Sequence, residues 1–196
     1  YKYFHVGNQS VFSNDINYQS PILLTLSKIK NGMRGETKPH SHTHLELFYF
    51  ESGSGFLELN SKKYPLRAHD LLVINSRYIH VQYSENCDTP LVYYDFAIDN
   101  VHMNGLPQNC IGAREFFLHS FQHGDNVFYQ NILRILNEFD CKQYSYHSKV
   151  QAIFIEILVD TVRLFSSERN LLPENENPNT NRSQLEQIKK YIDEHY

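Results

Sequence analysis

The sequence has no tryptophan, only three cysteines and two methionines, and no long apolar run. No segment approaches the roughly 18 consecutive apolar residues that cross a bilayer as a helix, which excludes a helical membrane span. Cys87, Cys110 and Cys141 are odd in number and widely separated. That spacing excludes a disulfide framework and a paired-thiolate metal site, and it reads as reduced thiols in a cytoplasmic protein. Positive charge is not in excess, with 18 Lys and Arg against 22 Asp and Glu. The segment alone therefore lacks the basic footprint of a nucleic-acid surface. No nucleophile motif, phosphate-binding glycine loop or catalytic triad signature is present. No signal-peptide pattern opens the chain, and Tyr1 stands where an initiator methionine is expected, as in an excised piece.

What is present is a change of period along 196 residues, a length that buries a sizeable core without staples. Residues 1–20 are polar with scattered aromatics and read as an arm. Over 21–110 short strand patterns succeed one another between turn residues. They are Ile22 to Ile29, Leu45 to Phe50, Phe56 to Leu59, Tyr64 to Leu66, Leu71 to Ile74, Ile79 to Tyr83 and Leu91 to Ile98. Such regular spacing predicts a sandwich or barrel. Residues 111–167 carry helical spacing instead. Phe128, Ile132, Ile135 and Phe139 predict one helix capped by Asp125 or Asn126. Tyr146 to Phe165 predict a second.

In that second helix Val150, Ile153, Phe154, Ile157, Leu158, Leu164 and Phe165 form one stripe, which Ile155, Val159 and Val162 widen. The result far exceeds the ~100° of arc expected for a helix with one buried face. A partner helix from a second subunit would cover it, placing Ile155, Val159 and Val162 at a homodimer interface; clamping between barrel and first helix is the alternative. Residues 168–182 hold prolines, asparagines and charges, and read as a linker. In residues 183–196, Ser183-Gln184-Leu185-Glu186 is a capping box that opens a short amphipathic helix.

The densest chemistry lies in Pro39-His40-Ser41-His42-Thr43-His44-Leu45-Glu46-Leu47-Phe48-Tyr49-Phe50. His40, His42 and Glu46 share a parity that an extended strand would place on one face, continued by Phe48 and Phe50. His80, after the turn Asn75 to Ile79, could enter the same barrel from a neighbouring strand. Imidazole and carboxylate together suit a borderline divalent ion. The same groups could instead hydrogen-bond one another and line an organic-ligand pocket, with Phe48 and Tyr94 among the aromatics available to stack on it. His44 is accessory to this cluster.

His40-x-His42-x3-Glu46-x6-Gly53 resembles the first conserved motif of cupins, and Arg67 to Leu71 with Asn75 to His80 resembles the second. The fuller wording adds Gly-x-Gly, a Tyr-Pro-Leu turn and Asp70-Leu71-Leu72-Val73-Ile74-Asn75. It is similar to the N-terminal effector-binding domain of AraC-type transcription regulators. The second motif departs from the cupin pattern at His69, at Asn75-Ser76-Arg77 and at Ser84, which weighs against metal chemistry more than against a sensing role.

The resemblance implies a mainly β, cupin-like barrel (a double-stranded β-helix), followed by two dimerising helices, a linker and a terminal helix. Residues 183–196, with Ile188-x2-Tyr191-Ile192, resemble the first helix of the family's helix-turn-helix DNA-binding domain. It further implies a bacterial, cytoplasmic, non-enzymatic regulator. A small-molecule effector would bind at His40, His42, Glu46, His80, Phe48 and Tyr94, and DNA through a domain beyond Tyr196. No cofactor is expected; a divalent metal, if present, would sit on His40, His42, Glu46 and His80. The alternative is a metal-dependent cupin enzyme of dioxygenase or isomerase type.

Overall fold

The computed structural model describes residues 20–32, 38–124 and 126–169, with side chains through Phe165. The predicted arm, linker and terminal helix lie outside the described residues, apart from Ser20 and the last turn of the second helix.

Among the described residues eight strands and two helices follow in order: β1 Ile22–Lys30, β2 Leu45–Ser52, β3 Ser54–Leu59, β4 Lys62–Arg67, β5 Asp70–Ile74, β6 His80–Ser84, β7 Val92–Asp99, β8 Phe116–Ser120, α1 Val127–Cys141 and α2 Tyr146–Arg169. One sheet has five strands in the order β1-β7-β2-β5-β8, the other three in the order β4-β3-β6. All pairings are antiparallel. Between the sheets lies one apolar cluster built from Phe48, Phe50, Leu57, Leu59, Leu66, Leu72, Ile74, Leu91 and Tyr93.

Within the larger sheet β2 and β5 are buried on both faces, which explains why they read as continuous apolar runs rather than as alternating strands. Phe48 and Phe50 point between the sheets, whereas Leu45, Leu47 and Tyr49 join a second cluster with both helices. Two turns fix this geometry. Asn60 and Ser61, both at positive φ, form the two-residue connection that the β3–β4 hairpin's twist demands. Gly53, at φ +88°, joins β2 to β3, and a Cβ there would meet the Pro90 carbonyl oxygen at 2.1 Å.

The helices cover the outer face. Asn126 caps α1, its side chain accepting from the Tyr129 N–H, and Lys142 ends the helix in a left-handed conformation. Phe128, Ile132 and Ile135 of α1 pack with Val150, Ile153, Phe154, Ile157, Leu158, Val162 and Phe165 of α2.

Two expectations are corrected by this packing. β8 pairs with β5 along its whole length, so the sheet extends past residue 110 into what the sequence assigns to the helical segment. Only Phe117 of that strand is fully buried, too weak a pattern to stand out. Val162 is a core residue of its own chain, 7% exposed, and is unavailable to a subunit interface. Ile155 is partly buried against the same cluster, so most of the wide α2 stripe is clamped by barrel and α1. No helix among the described residues is long and apolar enough to cross a membrane.

Candidate functional site

The histidines converge by a route other than shared strand parity. β2 begins only at Leu45, and His40, His42 and His44 lie in the preceding segment. His40 forms an isolated antiparallel bridge with His80, exchanging N–H···O bonds of 3.0 and 2.9 Å. The Arg77 N–H donates to the His42 carbonyl at 2.6 Å. Asn109 Nδ2 donates to the Thr43 carbonyl at 2.7 Å, and its Oδ1 accepts from the Val101 N–H at 3.0 Å. Three anchors thus hold a loop that has little secondary structure of its own.

Glu46 occupies the inner face of β2, 5% exposed, opposite the small Ala97 of β7. His42 Nε2 lies 3.2 Å from its Oε1 and His80 Nε2 2.9 Å from its Oε2, with His44 Nε2 at 3.9 Å. One ligand atom each from His40, His42, Glu46 and His80 falls within 4.8 Å of every other. His40 Nδ1 donates to the Lys38 carbonyl and His80 Nδ1 to the Tyr78 carbonyl, both at 2.9 Å. A carbonyl only accepts, so both Nδ1 atoms carry a proton, which leaves the Nε2 lone pair available whenever the ring is neutral.

His80 Nε2 is buried, and Glu46 Oε2 at 2.9 Å is its ion-pair partner. Burial disfavours the charged imidazolium of His80, but Glu46 outweighs it and raises the pKa above the ordinary histidine value. At His42 burial prevails over the pull of Glu46, and the pKa is lowered.

These features fit a divalent ion. Three imidazoles and a carboxylate converge, and backbone carbonyls orient two of the rings. The chemistry equally suits a polar organic group.

Phe48 is fully buried on the inner face, its ring 5.6 Å from that of Tyr93. Tyr94 is not in this pocket. The β2–β7 register pairs it with Tyr49 on the outer face, where its hydroxyl donates to Glu51 Oε1 at 3.0 Å. Lys28 and the Tyr129 hydroxyl of α1 donate to the same oxygen at 2.9 and 3.0 Å. Burial would raise the Glu51 pKa, yet these bonds outweigh it and hold the carboxyl below its usual value.

The residue on the inner face is Tyr93, and with it come Asp95 and Gln82, which sequence reasoning passed over. Burial first, then the charge of Glu46, pushes the Asp95 carboxyl up to about 7. A signal existed: Asp95 is the one carboxylate in the middle of the apolar run Leu91 to Ile98.

A mainly β barrel of cupin type, continued by two helices, is the class that this fold and site define. Residues 29–96 match the family described as Cupin domain. No curated protein sequence matches the chain. Among solved structures, a cupin protein from Bacteroides fragilis is 23% identical, covering 52% of this chain and 73% of its own, with a TM-score of 0.32. Unsaturated fatty acid-bound ToxT from Vibrio cholerae is 13% identical, covering 77% of this chain and 55% of its own, with a TM-score of 0.42. An apo ToxT variant is 9% identical over 82% of this chain and 62% of its own, with a TM-score of 0.45. The chain thus spans little more than half the length of the ToxT chains that it matches.

Proposed function

We propose that the chain is the ligand-sensing and dimerisation portion of a bacterial AraC-type transcription regulator, cytoplasmic and without catalytic activity of its own. A small molecule beside His40, His42, Glu46 and His80 biases the arrangement of attached DNA-binding domains, to which residues 183–196 lead. Subunits pair through the half-buried Ile155 and Val159 of α2.

One observation carries this reading. β2 presents Glu46 and Phe48 to the barrel interior and Tyr49 and Glu51 to α1, so one strand touches both the pocket and the helical layer. Coupling requires only that a ligand bind the two arrangements of that strand unequally. The test is a thermal-shift screen of small metabolites followed by hydrogen exchange on the hit. The expected ligand stabilises the protein, loses its effect in His42→Ala, and changes amide protection in α1 and α2. A ligand that stabilises the barrel but leaves both helices unchanged would refute the sensing role.

The four-donor convergence favours one further reading, a metal-dependent cupin enzyme. An ion held by His40, His42, Glu46 and His80 would supply Lewis-acid chemistry at an oxygen ligand. In that case the chain's own task is to orient His40 and His80 through the Lys38 and Tyr78 carbonyls. Stoichiometric metal together with turnover would replace the regulator reading.

A further inference from the structure

Behind the histidines, the barrel wall carries hydrogen-bonding capacity that the protein does not use. Gln82 is 5% exposed; its Nε2 donates to the Tyr93 hydroxyl at 3.5 Å, and its Oε1 has no partner. Asp95 Oδ1 is also buried without a partner. The registers set these groups on facing walls: Tyr93 and Asp95 lie opposite Phe50 and Phe48, and Gln82 opposite Leu57 in the second sheet. Buried polar atoms are satisfied in nearly all folded proteins, so two orphans facing one interior mark a place where something donates.

The orphan atoms select the ligand. Both are acceptors, and the charges acting on Asp95 are those of Glu46 and His80. Among the described residues no lysine or arginine joins them on this wall, since Lys28 pairs with Tyr94 on the outer face. Burial first and then the charge of Glu46 displace the Asp95 pKa upward, against the weaker pull of His80. An ion on the histidines would engage Glu46 and His80 but would leave Gln82 Oε1 and Asp95 unmet.

A ligand hydroxyl has one proton to give, and an anion would be repelled by both carboxylates. An acyl chain would have to part the rings of Phe48, Phe50 and Tyr93, which stand 5.2 and 5.6 Å apart across Tyr93. An ammonium group has three donors, a compensating charge and an affinity for aromatic faces. On the β1 side the exposed Thr25 and Ser27 lie opposite Ala97 and Asp95.

We infer that this wall is a subsite for a small primary amine, whose ammonium donates to Asp95 Oδ1 and Gln82 Oε1 beside the Tyr93 ring. The inference rests on the sensing reading only in taking the barrel as a ligand site.

The test is calorimetric titration of the purified protein at pH 8 with ethanolamine and 1,3-diaminopropane. Ethylene glycol and propionate serve as hydroxyl and anionic counterparts. Saturable amine binding is expected, with both counterparts at least tenfold weaker. Asp95→Asn should weaken the amine at least tenfold, as should Gln82→Met. If Asp95→Asn does not fold, Gln82→Met on the facing strand carries the same comparison. Equal affinity for amines and counterparts, or undiminished amine binding in the folded variants, overturns the subsite. Amine binding without altered protection in α1 and α2 supports the subsite and defeats the sensing role. Altered protection caused only by a ligand lacking an amine does the reverse.

Discussion

Replacing Asp95 by Asn is expected to stabilise the protein at neutral pH and above, and to do little in acid. The Asp95 carboxyl titrates near 3.8 when unperturbed and at about 7 in the fold. Between those values the folded state keeps a proton that the unfolded state releases, so unfolding becomes easier as pH rises. The loss of stability begins near pH 4 and levels off above about 7. At 1.36 kcal/mol per pK unit the displacement is worth at most roughly 4 kcal/mol. The buried amide introduced in its place costs about 1–3 kcal/mol where it finds no partner. A net gain on the order of 1–3 kcal/mol therefore remains at pH 8. At pH 4 the gain vanishes or reverses, because the carboxyl is then neutral in the fold and only about half ionised in the unfolded chain, so little of the displacement is expressed.

The assay is urea unfolding of wild type and variant at pH 4.5, 6 and 8, read as the difference between them. Taking the difference removes, to first order, the histidines that also titrate in this window. His80 attracts the Asp95 charge and moderates the slope without changing its sign. A stability difference that stays constant across pH would refute the claim that Asp95 is ionised at a cost inside the barrel.

Removing Asn109 (Asn109→Ala) frees the Thr43 carbonyl and the Val101 N–H, with an expected loss of about 1–3 kcal/mol and faster amide exchange in residues 40–44. Glu51→Ala removes the acceptor shared by Lys28, Tyr94 and Tyr129, at a cost of roughly 2 kcal/mol. Because the Glu51 pKa is lowered by folding, its contribution is full above the ordinary carboxylate range. It fades as pH falls through the folded value, so melting curves of Glu51→Ala and wild type should converge in acid. Zinc or manganese added to metal-free protein should raise the melting temperature, and His80→Ala should abolish the rise; no rise in wild type would exclude the cluster as a metal site. Ile155→Glu with Val159→Glu should give monomers in sedimentation velocity, whereas an unchanged dimer would move the interface off α2.

The strands were legible because each of the first seven is bounded by turn chemistry and carries apolar residues at strand spacing. β8 was not, since its pairing with β5 depends on a long loop held by Asn75, whose side chain bonds the carbonyls of Gly112 and Arg114 and the Ile111 N–H. Sequence distance conceals such a hub. The helices followed from their period, and the Asn126 cap from its chemistry. Covering partners were harder to read: the width of the α2 stripe showed that much of it is buried, yet both a second subunit and the chain's own sheet satisfy that requirement. Val162 shows that the sheet takes a large share. The motif grouped His40, His42, Glu46 and His80, which converge in the fold, although the parity argument for them was geometrically incomplete. What joins His40 to the group is its backbone bridge to His80, a contact across the two motifs.

Phase was the remaining obstacle. A shift of one residue exchanges the faces of a strand, and β7 is aromatic on both faces at Tyr93 and Tyr94, so composition could not say which ring entered the barrel. Register decides it, and the same alternation links the layers. Asp95 points inward toward the charges of Glu46 and His80, while its neighbour Tyr94 points outward and donates to Glu51. Glu51 in turn accepts from Tyr129 on α1. A group bound at Asp95 is therefore one peptide unit from a hydrogen bond whose acceptor is shared with the helical layer. Any displacement of β7 that a ligand imposes must be absorbed by that shared carboxylate or passed to α1.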